Sequence, residues 1–579
     1  MYKSFFALSA LILCLFILLN SSFASETKFE KRFWVLFTDK GDYSISNDAS
    51  VSEKSLARRQ KARCNITDDY DLPVYKPYIS QIQKLGAKVS VQSKWLNAIS
   101  IEANESLITK IKKLPFVRSI EPIATYKRRY PAIRQRTATS NLAPEKNNLP
   151  NIMTDQFSEK YYGMSLEQIS QINVNALHNR GFHGEGITIA VLDTGFDLSH
   201  VAFKNIRVVG EYDFVNNDSI TSDEYPQDDI GQDDHGTEVL SILAGYDPER
   251  FIGVAFNANF LLAKTEKVSD KGIFFEQMIE EDWWVAGLEW SEQNGADIVS
   301  SSLGYSDWYS YSDMDGMSAK TTIAANIAVE KGVAVVVSAG NEGKSNDLPY
   351  ICAPSDGFDV IAVGAVNSKG ELADFSSIGP TYDGRIKPDL VAMGDGNYVV
   401  DPNNKNGYRK ASGTSMSTPL IAGTMALLMQ SLPNINNPRT LAKLMKYTAS
   451  RALNPDNRYG WGIVNAEAAF RFASVPGSMK ELSNWDPNNI DSDSNKAILY
   501  PNPVYTNRLN IRSLKSIAGF EVYTINGTLV YKRDDLDHAK FLIWDLRNHV
   551  GRRVTSGVYL IVIKYSDRDT YVTKVAIIN

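Results

Sequence analysis

The chain has 579 residues, too many for one core and enough for three or four compact units. With 43 % hydrophobic and 22 % charged residues it has the composition of an ordinary globular protein. Its formal net charge of −6 carries no basic excess that would speak for a nucleic-acid partner.

Lys3 precedes an apolar run from Ala7 to Leu19, and Ser22-Phe23-Ala24 supplies small residues at the cleavage-site positions. Residues 1–24 therefore read as a secretory signal peptide. A membrane anchor is the competing reading, for which the apolar run is short. No later stretch approaches the ~20 apolar residues that a spanning helix needs, so no membrane span is expected. Cys14 lies in the leader, which leaves Cys64 and Cys352 in the exported chain and at most one intramolecular disulfide. A packed core must stabilise the fold.

Residues 25–150 mix strand-like and helical patterns and end in a polar linker. Phe33-Trp34-Val35-Leu36-Phe37 and Trp95-Leu96-Asn97-Ala98-Ile99-Ser100-Ile101 read as strands of a small α+β unit. The stretch from Lys127 to Pro150 is rich in breakers and contains Lys127-Arg128-Arg129 and Arg134-Gln135-Arg136, open to proteolysis. Over residues 151–475 the apolar runs Ile187–Leu192, Ala296–Val299 and Val333–Val337 alternate with helical stretches. Such near-continuous runs suit strands covered on both faces, so an α/β fold with a mostly parallel sheet and helices on both faces follows. Residues 476–495 form a second polar linker. Residues 496–579 alternate as strands, with Asn526-Gly527 as a hairpin turn, and predict a small β-sandwich.

Four candidate functional residues lie at strand ends and helix starts. Asp193 follows the strand Ile187–Leu192, and in an open α/β sheet functional groups collect at the carboxyl ends of strands. His235 opens a helical stretch that ends near Gly245, and Asn341 follows Val333–Val337. Ser415 sits in Gly413-Thr414-Ser415-Met416-Ser417-Thr418-Pro419, before a small and apolar run. A serine there gains backbone N–H groups and the positive end of a helix dipole, both suited to an oxyanion. Serine is a poor nucleophile until a neutral imidazole takes its proton, and a carboxylate fixes the tautomer of that imidazole. An amide donor can hold the tetrahedral oxyanion.

On these residues the block resembles the catalytic domain of the subtilisin-like serine proteases, the subtilases. Ser302-Leu303-Gly304 resembles the strand lining the substrate cleft, with Ala339-Gly340 opposite. Asp374–Pro380, Asp383–Asp389 and Tyr459–Ala466 resemble further family motifs. The resemblance implies a secreted endopeptidase acting on protein or peptide substrates. Ser415 would attack the scissile carbonyl, His235 would act as base and then acid, and Asp193 would orient it. The Asn341 side chain and the Ser415 N–H would hold the oxyanion, and the chemistry would require no cofactor. Three departures stand out: Glu238 where histidine is common, Ser417-Thr418 for a small pair, and Ala392-Met393-Gly394 for Ala-Pro-Gly. None removes a catalytic atom.

The first block resembles the prodomain of subtilases and would act as an intramolecular inhibitor, which makes the protein a zymogen. A permanent interaction domain is the alternative. The last block, opening with Leu499-Tyr500-Pro501-Asn502-Pro503, resembles the type A sorting domain of the type IX secretion system. It would engage that secretion machinery and lead to export or cell-surface display; an appended substrate-binding sandwich is the alternative. The acidic run Asp223, Glu224, Asp228, Asp229, Asp233 and Asp234 suits either a structural Ca²⁺ or a solvated charged loop. Glu342 borders the region beside Asn341 and leaves both basic and large apolar side chains open before the cut bond. An aspartic protease would want a second Asp-Thr/Ser-Gly, and a zinc peptidase a His-Glu-x-x-His, and the chain has neither. A catalytically silent, surface-attached binding protein on the same scaffold is the non-enzyme alternative.

Overall fold

The computed structural model describes residues 31–126 and 159–578, apart from 124, 271–272, 275, 278, 346–347, 436, 476, 486–496, 501–503, 505–508, 535 and 537–538. The leader and the basic linker at 127–150 lie outside the described residues. The chain forms two units. One comprises Met1–Ser50, Thr67–Thr125 and Gln277–Asp282, and the other Val51–Ile66, Tyr126–Glu276 and Trp283–Asn579.

In the first unit, strands β1 (Lys31–Phe37), β2 (Lys88–Ser93), β3 (Ala98–Ala103) and β4 (Val117–Ile123) form one antiparallel sheet in the order β2-β3-β1-β4. Val35, Ile99 and Ile101 pack with Ile82 and Ile111 of the helices Lys76–Lys84 and Glu105–Ile111. This is the expected α+β arrangement.

The second unit opens with helix α1 (Glu53–Ala62). Its main sheet has seven parallel strands: β5 (Thr188–Asp193), β6 (Arg207–Asp213), β7 (Asn259–Lys264), β8 (Ile298–Ser301), β9 (Ala334–Ser338), β10 (Ile361–Val366) and β11 (Leu390–Met393). Their order is β11-β10-β9-β8-β5-β7-β6. Alternate residues Ile189, Val191, Ala334 and Val336 share a core with helices α2 (Asp234–Ala244) and α5 (Thr414–Ser431). The intervening Ala190, Leu192, Val335 and Val337 are buried too. Helix α3 (Ile279–Gln293) covers Leu192 on that second face, where a Cβ on Gly287 would lie 3.6 Å from it. Both faces are therefore dry, which is why these strands read as unbroken apolar runs. Helix α4 (Lys320–Glu330) precedes β9, and the hairpin β12 (Asn397–Val400) and β13 (Tyr408–Ala411) precedes α5.

The last strands have a core of their own, with Phe520, Val522, Ile561, Ile563 and Trp544 inside. They are β14 (Ala497–Tyr500), β15 (Leu509–Thr524), β16 (Leu529–Arg533), β17 (Ala539–Trp544), β18 (Gly557–Tyr565) and β19 (Thr570–Ile577), all antiparallel. The 16-residue β15 pairs with β14 and β17 through its first half and with β16 and β18 through its second. One strand shared between two sets of partners is how a sandwich turns its corner. No described helix is long and apolar enough to cross a membrane. Cys64 and Cys352 are both free thiols.

Lys264 ends β7 fully buried, its Nζ 2.8 Å from Asp213 Oδ2 and 2.7 Å from Asp228 Oδ2. Removing one member of a buried ion cluster leaves the others unpaired in low dielectric, at a cost of about 3–5 kcal/mol. Lys264→Met is expected to lower unfolding stability by that amount in denaturant titration. A loss below about 1 kcal/mol would mean that the carboxylates stay solvated.

Candidate active site

β5 delivers Asp193 to the carboxyl edge of the sheet, fully buried. Its Oδ1 accepts from the Thr194 N–H at 2.8 Å and from His235 Nδ1 at 2.7 Å, while its Oδ2 has no hydrogen-bond partner. His235 is the second residue of α2. The helix reaches β5 because Gly236 has no side chain: a Cβ there would lie 2.1 Å from the Gly195 carbonyl oxygen and 3.1 Å from Asp193 Cβ. Gly195 is itself held at φ +135°, a backbone that other residues rarely adopt. With Nδ1 donating to Asp193, the other ring nitrogen is the one left to take a proton.

The imidazole feels opposing forces. Burial would depress its pKa, but the charge and hydrogen bond of Asp193 outweigh it, and Glu238 and Glu266 add to the rise, to about 9. The ring is 30 % exposed, so solvent screens part of this field.

Ser415 is the second residue of α5 and nearly buried. Its Oγ donates to the Ser302 carbonyl at 3.2 Å, and Ser302 Oγ donates back to the Ser415 carbonyl at 2.9 Å. The second bond exists because Pro419, four residues on, has no N–H to offer that carbonyl. In this conformation the Ser415 hydroxyl is turned to Ser302 rather than to the imidazole. Helices α2 and α5, which carry His235 and Ser415, pack against each other.

Asn341 follows β9. Its Oδ1 accepts from Thr414 N at 2.9 Å and Thr414 Oγ1 at 3.1 Å, and among the described residues its Nδ2 donors have no partner. The Ser415 N–H lies in the first turn of α5, where helix N–H groups lack internal acceptors. Two free donors thus adjoin the serine.

The two expected cleft segments differ. Gly304 is exposed, and among the described residues its N–H and carbonyl have no hydrogen-bond partner; the Leu303 carbonyl accepts from Ser338 Oγ at 3.1 Å. Ala339 is fully buried, its N–H on Val363 O and its carbonyl on Cys352 N, so it is wall rather than contact surface. Gly340 likewise spends its N–H on Thr414 Oγ1 and its carbonyl on Ser377 N. Behind both segments lies the Cys352 thiol, a placement that its position in the sequence does not give. A Cβ on Gly304 would lie 2.2 Å from its Sγ, and one on Gly340 3.1 Å. Burial pushes that thiol up to about 12 and keeps it neutral.

Two further residues have contacts that sequence reasoning did not supply. Glu238, buried one turn after His235, accepts from Arg409 Nε at 2.5 Å. Burial raises the Glu238 carboxyl, and the Arg409 guanidinium and His235 oppose that rise. A charge at a helix position otherwise facing the core signals a missing partner, but nothing in the chain names Arg409, 171 residues away. Gln232 Nε2 donates at 2.7 Å to both the Thr194 and Glu266 carbonyls and ties the loop before α2 to the ends of β5 and β7.

The acidic run serves its own loop. Asp223 accepts from Gly231 N and Asp233 N, Asp233 from Asp223 N, and Asp228 from Glu224 N and Lys264. Among the described residues no group of three or more His, Cys, Asp or Glu is placed to hold a metal.

Residues 184–462 match the subtilase family. Subtilisin DY of Bacillus licheniformis is 31 % identical over 311 residues, 53 % of this chain and 97 % of its own length. The chain belongs to the subtilase family. Subtilisin BL of Lederbergia lenta is 32 % identical over 304 residues, covering 52 % of this chain and 97 % of that protein. Subtilisin NAT of Bacillus subtilis subsp. natto is 28 % identical over 389 residues, 67 % of this chain and 84 % of the relative. Residues 32–140 match the Bacteroidota propeptide domain of this peptidase family, and residues 498–579 a secretion system C-terminal sorting domain. The subtilase is thus a serine-type endopeptidase carrying a propeptide and a sorting domain.

Gly304→Ala forces a methyl onto the Cys352 sulfur, an overpacking of about 1–3 kcal/mol. It is expected to cut kcat/KM about tenfold or more. Cys352→Ala in the same protein is expected to restore most of it, because the nearest remaining atom of residue 352 is then 3.4 Å away. A double variant as poor as the single one would clear the thiol.

Proposed function

We propose that Asp193, His235 and Ser415 form the catalytic triad of this subtilase and that Asn341 Nδ2 and the Ser415 N–H form its oxyanion hole. The observation that carries the reading is the 2.7 Å bond from His235 Nδ1 to the buried Asp193. It fixes the tautomer in which the second ring nitrogen is a base. On substrate binding the Ser415 hydroxyl leaves the Ser302 carbonyl and gives its proton to His235 as Oγ attacks the scissile carbonyl. The two unpaired donors receive the oxyanion, and His235 then protonates the leaving amine. The open backbone of Gly304, with Ser302 and Leu303, takes the substrate as an added strand. Ala339 and Gly340 support the wall behind it.

The subtilase is made as a zymogen, exported by its signal peptide and carried outward by the sorting domain. The propeptide occupies the enzyme until it is removed.

A fluorophosphonate is expected to label the active form at Ser415, with labelling abolished in Ser415→Ala and kcat reduced by about four orders of magnitude or more in Ser415→Ala and His235→Ala. Wild-type turnover no better than that of the Ser415→Ala/His235→Ala double variant would leave a silent scaffold. A base must be neutral, so kcat/KM falls as pH drops through the His235 pKa, and the raised value puts that inflection above ordinary histidine, towards about 9. Glu238→Gln removes a negative charge facing the ring and is expected to move the inflection to lower pH. An unmoved inflection would remove Glu238 from the field at His235.

A further inference from the structure

The two donors beside Ser415 stand between two glycines that face one side chain. Gly304 lies two residues after Ser302, whose Oγ bonds the Ser415 carbonyl, and Gly340 directly precedes Asn341. A Cβ on Gly304 would lie 2.2 Å from Cys352 Sγ. One on Gly340 would lie 3.1 Å from the same sulfur and 2.8 Å from Ser377 Oγ. A single sulfur atom therefore reaches both backbones and closes the interval between them.

The sulfur is held firmly. Ile351, Cys352 and Ala353 are all buried, and their backbone is bonded on both edges. Tyr305 N donates to Ala353 O at 2.8 Å and Ala353 N to Tyr305 O at 3.1 Å. Cys352 N donates to Ala339 O at 3.1 Å, and Ile351 N to Ile378 O at 2.9 Å. Cys352 Sγ adds a contact to the Ala339 carbonyl at 3.4 Å. Burial pushes the thiol up to about 12, and Glu342 and Asp356 add to the rise, so the sulfur carries no charge.

The place of this interval decides what enters it. A scissile carbonyl whose oxygen reaches Asn341 Nδ2 and the Ser415 N–H has its own Cα one bond away, so the side chain before the cut bond falls beside those donors. Gly304 and Gly340 leave that space free of side chains, and its depth ends at the sulfur. We propose that Cys352 floors a shallow pocket between Gly304 and Gly340, so that this subtilase cuts after glycine, alanine and serine in preference to residues with long side chains, apolar or basic. The proposal rests on the triad and oxyanion reading and gives it a substrate class. A longer side chain must push aside a sulfur fixed in a segment bonded on both edges, and close-packed surroundings resist such overpacking.

The test uses the full chain freed of its propeptide and a series of peptide p-nitroanilides that differ only in the residue before the cut bond. Wild type is expected to show a kcat/KM for alanine about tenfold or more above that for leucine, phenylalanine or lysine. Cys352→Gly removes the floor and is expected to raise kcat/KM for phenylalanine about tenfold or more relative to alanine. If that variant does not fold, Cys352→Met, which lengthens the same side chain, is expected to raise the glycine-to-alanine ratio instead. If neither folds, the wild-type series alone decides. A wild type that prefers leucine, phenylalanine or lysine, or a preference unmoved in the variants, overturns the floor. Fluorophosphonate labelling of the same preparations separates the two readings. Enzyme that labels at Ser415 but shows the wrong preference overturns the floor alone, and enzyme that does not label overturns the triad reading and the floor with it.

Discussion

The site depends on a steric allowance between two backbones. Asp193 and His235 come from a strand and a helix separated by 42 residues, and their 2.7 Å hydrogen bond requires α2 to start almost on top of the turn after β5. Gly236 and Gly195 permit that approach, and Thr194 Oγ1 fastens it by accepting the Gly236 N–H. A Cβ at Gly236 would meet the Gly195 carbonyl oxygen first, so α2 and its imidazole would have to back away from β5. The carboxylate–imidazole pair is therefore a product of packing, and its polarity follows from position: a buried carboxylate at the end of a dry sheet has few other ways to be satisfied.

The Ser415 side obeys a similar logic with a different device. Pro419 withholds an N–H from the Ser415 carbonyl, and Ser302 fills the gap, so the start of α5 is stitched to the strand beside it by two hydroxyl–carbonyl bonds. Thr414 does the same for Asn341 by holding its Oδ1, which turns the amide donors outward. Glycines, one proline and short hydroxyl side chains thus aim the reactive groups. The charged residues Glu238 and Arg409 tune the field behind them.

Much of this was legible in the chain. The doubly covered strands announce themselves as apolar runs because neither face meets water, and the four reactive residue types stand at the ends of those runs. What could not be read is whatever depends on partners far apart in sequence. Glu238 is visibly out of place, but Arg409 answers it only in three dimensions. The acidic run offers the same residue types whether the oxygens bind a cation or cap their own loop, since aspartate serves both purposes. Ala339 continues an apolar strand and reads as cleft lining, yet its backbone is already spent on Val363 and Cys352. Helix α1 is basic on most faces, so its burial against the end of α3 left no amphipathic stripe to find.

The two thiols have a consequence for where this protein can fold. Cys64 and Cys352 are both free thiols, so no disulfide cross-links the described residues. A fold held without a disulfide calls for no thiol oxidase or disulfide isomerase, and it keeps the same connectivity whether its surroundings are reducing or oxidising. The thiol behind the substrate strand, neutral and shut away from solvent, has little reactivity to lose in crossing from one to the other.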